Sequence, residues 1–142
     1  MKATVKWTHP GPQPNGLQAD KDGLWVIDQG NNHLYKLDYN DGTIIEDFLT
    51  ETSMSSGVTK GGGYLWVAST YTSELFKLNL DGTTVEIYDT PGKGVVAFAE
   101  TEDPIVTGAH GMEWIDDNNM WVAVPPAQQV YLLDPATMAV KR

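Results

Sequence analysis

The sixteen residues 23–38, GLWVIDQGNNHLYKLD, decide the fold because the chain repeats their pattern twice. The copies read YLWVASTYTSELFKLN at 64–79 and NMWVAVPPAQQVYLLD at 119–134. Each copy follows a glycine, which stands in the triplets Asn15-Gly16-Leu17, Ser56-Gly57-Val58 and His110-Gly111-Met112. A period of about 40 residues made of short apolar runs and turns is typical of a β-propeller blade. We therefore predict an all-β propeller chain with three four-stranded blades.

The first unit divides into strands at 17–20, 24–28, 33–38 and 43–49, separated by Gly, Asn and Asp clusters that favour tight turns. The second of these strands begins with a continuous apolar run, Leu24 to Ile27, as a sheet covered on both faces requires. Trp25, Trp66 and Trp121 recur with the repeat, so we expect them in the core. The predicted blades are 13–51, 52–92 and 110–142, with an insertion at 93–109.

The N-terminal segment, residues 1–12, resembles the last strand of a blade. Residues 3–7, followed by Pro10-Gly11, match 83–87, followed by Pro91-Gly92. Three blades in one chain leave two apolar faces and open strand edges in water. We therefore predict a homodimer with a six-bladed ring, in which residues 2–7 of one copy complete the last blade of the other. The alternative is a fragment of a longer six- or seven-bladed protein.

The composition restricts the partners. A formal charge of −10 argues against nucleic acid and against anionic membranes, since both bind basic surfaces. No cysteine is present, which excludes disulfides and thiolate metal sites. No apolar run reaches the length of a membrane span. The N-terminus lacks the apolar core of a signal peptide, so we expect a cytosolic protein or one whose leader precedes this chain.

One face of the propeller carries residues that differ between the units. Antiparallel strands reverse at each turn, so the start of the first strand, the end of the second and the loop after it share this face. Binding sites on a repeated scaffold are built from such variable positions. The candidates are Asn15, Ser56 and His110 at the first strands, Asp28 and Ser69 at the second strands, and Tyr71 in a loop. The insertion 93–109 is expected to lie over the same channel mouth.

His110 is the strongest candidate for chemistry, because imidazole transfers protons near neutral pH and binds metals. Asn15 and Asp28 are predicted oxygen ligands for Ca²⁺ or Mg²⁺, should the site take a cation. Ser56, Ser69 and Tyr71 are predicted ligand contacts. The alternative for the Asn, Asp and Ser positions is that they hydrogen-bond the loop backbone. The sequence contains no Gly-x-Ser-x-Gly, His-Glu-x-x-His or phosphate-binding glycine loop.

The repeats resemble those of the NHL, SMP-30/gluconolactonase and virginiamycin B lyase-like propellers over nearly the whole chain. In SMP-30-like lactonases, a divalent cation in the channel is held by Asn and Asp before the first-strand glycines, together with a Glu. Asn15 matches that position, whereas Ser56 and His110 depart from it. In the lyase-like members, a His-Gly pair at a first-strand start supports catalysis beside magnesium, and His110-Gly111 matches this pair. The resemblance implies a small-molecule site at the channel.

Three functions remain open from the sequence. The first is a small-molecule-binding propeller module without catalysis. The second is a metal-dependent lactonase- or lyase-like enzyme that uses His110. The third is a protein-docking platform, which would expose Val95, Val96 and Phe98 of the insertion.

Overall fold

The computed structural model describes residues 4–96 and 104–141, which form two four-stranded sheets, one three-stranded sheet and one two-stranded hairpin, all antiparallel. Each sheet keeps its strands in chain order, as in a meander. Blade 1 contains β1 (Pro14–Asp20), β2 (Gly23–Asp28), β3 (His33–Leu37) and β4 (Ile44–Leu49). Blade 2 contains β5 (Gly57–Gly61), β6 (Tyr64–Ser69), β7 (Glu74–Leu78) and β8 (Thr84–Asp89). The predicted strands of the first two units are confirmed, with β1 starting earlier than expected.

The third blade has three strands rather than four. It follows a short hairpin of β9 (Gly94–Val95) and β10 (Val106–Thr107), which forms the base of the insertion. The blade itself contains β11 (Gly111–Asp116), β12 (Asn119–Val124) and β13 (Gln129–Leu133), with a 3₁₀ turn at Pro125–Ala127. Beyond β13 the described chain makes one isolated bridge, Leu133 to Val140. The outer edge of β13 therefore lacks a fourth strand in this part of the molecule.

The core lies between the blades, because each sheet buries an apolar face against the next. Between blades 1 and 2 the core contains Trp25, Ile27, Leu34, Val58, Leu65, Val67, Phe76 and Leu78. Between blades 2 and 3 it contains Trp66, Ala68, Leu75, Ala109, Met112, Met120, Val122, Val124 and Leu133. Burial of these side chains is the main force that stacks the blades.

The prediction that all three repeated tryptophans are core holds for two of them. Trp25 is 3% exposed and Trp66 is 1% exposed, but Trp121 is 41% exposed. Trp121 points to the outer face of blade 3, and no further blade of this chain covers that face in the described residues. On the outer face of blade 1, Leu17 is likewise exposed. The end faces of the stack are therefore apolar and open.

Two further observations concern the whole molecule. Residues 4–13 form no strand and run along the outer side of blade 1. In the described ranges, no helix has the length and hydropathy needed to cross a bilayer.

Candidate functional site

The first-strand glycines bring the blades together at one end. A Cβ placed on Gly16 would lie 2.6 Å from the carbonyl oxygen of Ser56, and one on Gly57 would lie 2.2 Å from that of His110. Only glycine permits so close an approach of two backbones. The residues before these glycines therefore lie side by side in the order Asn15, Ser56, His110. The structure brings together the three first-strand candidates of the sequence analysis.

His110 is half-buried on this inner edge. Its backbone N–H donates to the carbonyl of Ala123 at 2.9 Å, which fixes the start of β11 against β12. Burial lowers the pKa of the imidazole below its ordinary value of 6.5. The ring is therefore neutral at pH 7, with one nitrogen to donate and one to accept. Such a group can bind a polar ligand or take up a proton from it.

Asp28 is fully buried, and its carboxylate serves the loops around it. One oxygen accepts the backbone N–H groups of Gly30 at 2.9 Å and Asn31 at 3.0 Å. The other accepts the backbone N–H of Gln13 at 2.8 Å and lies 3.5 Å from Nδ1 of His9. These three bonds occupy most of the lone pairs with which Asp28 could bind a metal ion. Asp28 therefore organises the loops at this end of blade 1.

The serine candidates are engaged to different degrees. The Ser69 hydroxyl is fully buried and accepts the backbone N–H of Ser53 at 2.9 Å and the Thr72 hydroxyl at 2.7 Å. It also donates to the Ser53 carbonyl at 3.2 Å. The Ser56 hydroxyl accepts one bond, from Nε2 of Gln29 at 3.1 Å. Ser69 thus holds a loop, whereas Ser56 keeps its own proton for a further acceptor.

Asn15 and Tyr71 are exposed. Asn15 borders a hollow of about 310 Å³ over the outer face of blade 1, lined also by Trp7, His9, Leu17 and Leu24. Tyr71 is 41% exposed in the loop between β6 and β7. Of the predicted site residues, Asn15 and Tyr71 are therefore exposed and His110 is half-buried, whereas Ser56 is buried, with 7% of its surface exposed.

The described residues do not fit a divalent cation held by Asn15 and Asp28. The Asp28 oxygens are taken by backbone donors. Within residues 4–96 and 104–141, no three His, Asp or Glu side chains cluster as metal ligands. Ca²⁺ and Mg²⁺ require six or more oxygen donors, several of them carboxylate or carbonyl. We therefore propose no metal at this pair.

The base of the insertion lies at the predicted face. The backbone N–H of Gly108 donates to the Thr70 carbonyl at 2.8 Å, and the Thr70 hydroxyl donates to the Ala109 carbonyl at 2.8 Å. A docking loop would expose its apolar side chains. Val95 is 46% exposed, as that function needs, but Val96 is buried. Phe98 falls outside the described residues.

Sequence reasoning missed two features. His9 packs edge-on against Tyr35 at 5.2 Å between ring centroids, and its Nε2 is buried without a partner in the described ranges. At the opposite end of the stack, Trp66 and Trp114 stack at 5.9 Å beside a hollow of about 160 Å³. A signal was present for the second feature, because Trp114 stands where the other units have Ala19 and Lys60.

Comparisons with known proteins place the fold. No protein-family model and no curated protein matches the sequence. Among solved structures, Myxococcus xanthus glutaminyl cyclase is similar with a TM-score of 0.65 and 16% identity, covering 89% of this chain and 50% of that one. Virginiamycin B lyase from Staphylococcus aureus is similar with a TM-score of 0.62 and 17% identity, covering 90% and 40%. Kuenenia stuttgartiensis hydrazine synthase gives a TM-score of 0.66 at 12% identity, covering 100% and 38%.

These similarities show a fold rather than an activity. The chain spans half or less of the length of these structures. With the blades described above, the chain is an all-β, partial propeller. The resemblance to NHL and SMP-30-like repeats stays a prediction.

Proposed function

We propose that the chain is a small-molecule-binding β-propeller module that assembles as a dimer and takes its ligand at the channel end beside His110. The observation that carries this proposal is the backbone contact between neighbouring blades at Gly57, which places the half-buried His110 next to Ser56 in the row of first-strand residues. In the described ranges the Ser56 hydroxyl makes one hydrogen bond, whereas the side chains of Asp28 and Ser69 make three each.

The donor set favours an uncharged polar ligand. A neutral imidazole, a hydroxyl and an amide supply hydrogen bonds but no formal charge. The chain's charge of −10 creates a negative potential that disfavours anions. A neutral molecule with amide or hydroxyl groups therefore suits the site best.

The test is NMR of the histidine rings during titration with a library of neutral amide- and hydroxyl-bearing fragments. We expect fragments that shift the His110 ring resonances and lose their binding in His110→Ala. Leu80→Ala is the matched control, since it removes an exposed side chain from the turn between β7 and β8, at the opposite end of the blade. Fragments that shift only His9 or His33, or none that bind, would contradict the proposal.

A lyase- or lactonase-like enzyme is the second candidate, favoured by the His110-Gly111 pair and by the similarity to virginiamycin B lyase. A catalytically inactive histidine-to-alanine variant of that lyase has been crystallised with quinupristin. Incubation of this chain with quinupristin and with simple lactones, with and without Mg²⁺, tests the idea by mass spectrometry. Under this alternative a ring-opened product forms and disappears in His110→Ala, and an unchanged substrate contradicts it.

The dimer is tested by light scattering of the full chain and of a chain without residues 1–8. We expect twice the chain mass for the first and loss of the dimer for the second, because the open faces and edges require a partner. A monomer in both samples would overturn this part of the proposal.

A further inference from the structure

We infer that a second copy of the chain joins the outer face of blade 3 to the outer face of blade 1, so that Asn15 of the second copy lies beside His110 and completes the site. The inference rests on the proposed dimer and adds its register and its effect on the site. It follows from contacts that recur at the junctions between successive blades. The outer face of blade 3 offers the same groups without a partner in the described residues.

The N-terminal segment already lies where the last strand of a preceding blade belongs. The Trp7 ring lies against Gly42, where an added Cβ would come within 2.4 Å of it. In the same way, Phe48 of blade 1 lies against Gly82 of blade 2, within 2.7 Å of such a Cβ. Both glycines occupy the turn before the last strand and have positive φ, 75° and 85°. Trp7 therefore contacts blade 1 as Phe48 contacts blade 2.

The connection after this segment repeats the same placement. The backbone N–H of Gln13 donates to the Asp28 side chain, and that of Ser53 donates to the Ser69 side chain. Asp28 ends β2 and Ser69 ends β6, so the two bonds are equivalent. Residues 4–13 thus contact blade 1 in the same way as the last strand of blade 1, with the link that follows it, contacts blade 2. They behave as the last strand of a blade whose other three strands lie outside this chain.

Blade 3 lacks the aromatic side chain that such a strand supplies. Phe48 stacks on Trp25 with ring centroids 6.2 Å apart, and Tyr88 stacks on Trp66 at 6.4 Å. The equivalent Trp121 is 41% exposed and has no aromatic neighbour in the described residues. Matching residues 3–7 with 83–87 puts Trp7 at the position of Ile87, but aligning Pro10-Gly11 with Pro91-Gly92 puts it at the position of Tyr88. The contacts at Gly42 and Gly82 agree with the second alignment. Trp7 of a second copy therefore has the chemistry and the place to cover Trp121.

The backbone of blade 3 is prepared for the same strand. A residue with left-handed φ stands before the third strand of every blade: Asn32 (61°), Ser73 (61°) and Gln128 (54°). In blades 1 and 2 its carbonyl accepts a backbone N–H at 3.0 Å, from Thr50 and from Thr90 respectively. The alignment puts His9 at the position of Thr50 and Thr90. The Gln128 carbonyl is thus set to accept the His9 N–H of a second copy.

The inner edge of blade 3 shows the third unmade contact. The Ser56 carbonyl packs against Gly16, and the His110 carbonyl packs against Gly57. Among the described residues, a Cβ on Gly111 would meet only Ala123 of its own sheet, at 3.7 Å. The next residue in the series Asn15, Ser56, His110 is again Asn15, supplied by the second copy. Its carbonyl on Gly111 would bring its side-chain amide beside the His110 imidazole.

The apolar end faces match this pairing. Ile115 and Val130 on blade 3 are 53% and 63% exposed, and Leu17 on blade 1 is 62% exposed. The hollow of about 310 Å³ over blade 1 offers room for side chains of the facing blade. The outer face of blade 3 corresponds to the face of blade 2 that packs on blade 3, and the outer face of blade 1 corresponds to the face of blade 2 that packs on blade 1. The two outer faces can therefore form a junction like those within the chain. A two-fold pair uses both faces twice and leaves no open edge.

The experiment is a disulfide between copies, which is clean because the chain has no cysteine. In blades 1 and 2 the facing pairs are His33 with Leu49 and Glu74 with Asp89. The equivalent pair is Gln129 of one copy with Thr8 of the other, and cross-strand Cα atoms of about 5 Å suit a disulfide. We expect the double variant Thr8→Cys with Gln129→Cys to give a covalent dimer under mild oxidation. Thr8→Cys with Asp89→Cys is the matched control and should stay uncrosslinked.

The outcomes separate this inference from the proposed function. A dimer by light scattering that crosslinks no better than the control overturns the register and leaves the proposed dimer standing. A monomer overturns both the register and the dimer, whereas fragment binding at His110 is judged by its own titration. Should the first pair fail to fold by circular dichroism, Val5→Cys with Leu132→Cys tests the same register. Crosslinking in either pair, with loss of the fragment response at His110 in Asn15→Ala, supports the composite site.

Discussion

The carbonyl oxygen of His110 lies 2.2 Å from the point where a Cβ on Gly57 would stand. Blades 2 and 3 therefore meet through backbone at this point, and no side chain larger than hydrogen fits between them. The contact fixes the spacing of the blades and the position of His110 at once. It also makes Gly57 a sensitive position for stability.

Gly57→Ala should destabilise the chain by about 2 kcal/mol, because an added methyl group must push two packed backbones apart. Urea unfolding followed by circular dichroism measures this change. An unchanged midpoint would show that blade 3 can move away from blade 2 at little cost.

Gly111→Ala should separate folding from assembly. Within residues 4–96 and 104–141 its methyl group meets only Ala123, at 3.7 Å, which is an ordinary contact. In the proposed dimer it would meet the backbone of Asn15 from the second copy. We therefore expect a near-normal circular dichroism spectrum and a dimer dissociation constant raised about tenfold or more, measured by sedimentation equilibrium. Unchanged dimer affinity would contradict the proposed register.

Asp28→Asn should loosen the N-terminal segment. The amide group replaces one acceptor oxygen, so at least one of the N–H groups of Gln13, Gly30 and Asn31 loses its partner. Loss of about 1.4 kcal/mol at Gln13 would raise the rate of trypsin cleavage after Lys6 about tenfold. Mass spectrometry of timed digests measures the rate. Asp41→Asn, in an exposed turn, is the control, and equal rates in both variants would contradict the role of Asp28.

Asp20→Asn should reduce acid sensitivity at the junction of blades 1 and 2. Burial alone would raise the pKa of Asp20, but hydrogen bonds from Lys60, the Lys21 backbone and Trp25 lower the pKa to about 2. Because this folded pKa lies below the ordinary 3.8, the carboxylate stabilises the fold above pH 3.8 and loses that effect as the pH falls toward 2. Denaturation between pH 2 and pH 5 should show about 2 kcal/mol less pH dependence in the variant. Asp117→Asn, in an exposed turn, should leave the wild-type profile intact.

His110→Gln should flatten the dependence of the free energy of unfolding on pH in the range just below pH 6.5. Burial lowers the folded pKa of His110 below 6.5, so the unfolded chain binds more protons in the window just below that value. Stability of the wild-type chain therefore rises with pH through this window up to about 6.5. The variant should lose this slope, and His33→Gln should keep it. An unaltered slope in His110→Gln would mean that the imidazole is not desolvated.

Much of the fold was predictable because the repeat is local. Strands such as β2 and β6 are short apolar runs between turn residues, and each is closed by a hairpin to its neighbour in sequence. The adjacency of Asn15, Ser56 and His110 was predictable too, since equivalent positions of stacked units must lie side by side. The exposure of Trp121 was not, because burial depends on a neighbour that this chain does not supply to its last blade.

The sequence could not predict which polar side chains are free to bind a ligand. Asp28 and His110 are both polar residues at one face, yet Asp28 is saturated by backbone donors and His110 keeps a neutral, half-buried ring. The Gln13 N–H donates to Asp28, fifteen residues later in the sequence, only because residues 4–13 lie along blade 1. No local pattern encodes such a contact. The stack of Trp114 on Trp66 likewise joins neighbouring blades through two residues that are far apart in the chain.

By itself the sequence determined the strand order, the turns and the glycines on which the blades meet, because these follow from periodicity and backbone freedom within one unit. Only the tertiary structure decided which polar side chains are free to bind, which apolar faces stay open and where the first residues lie. These properties depend on donors, neighbours and packing that come from other units, so a single repeat contains no information about them.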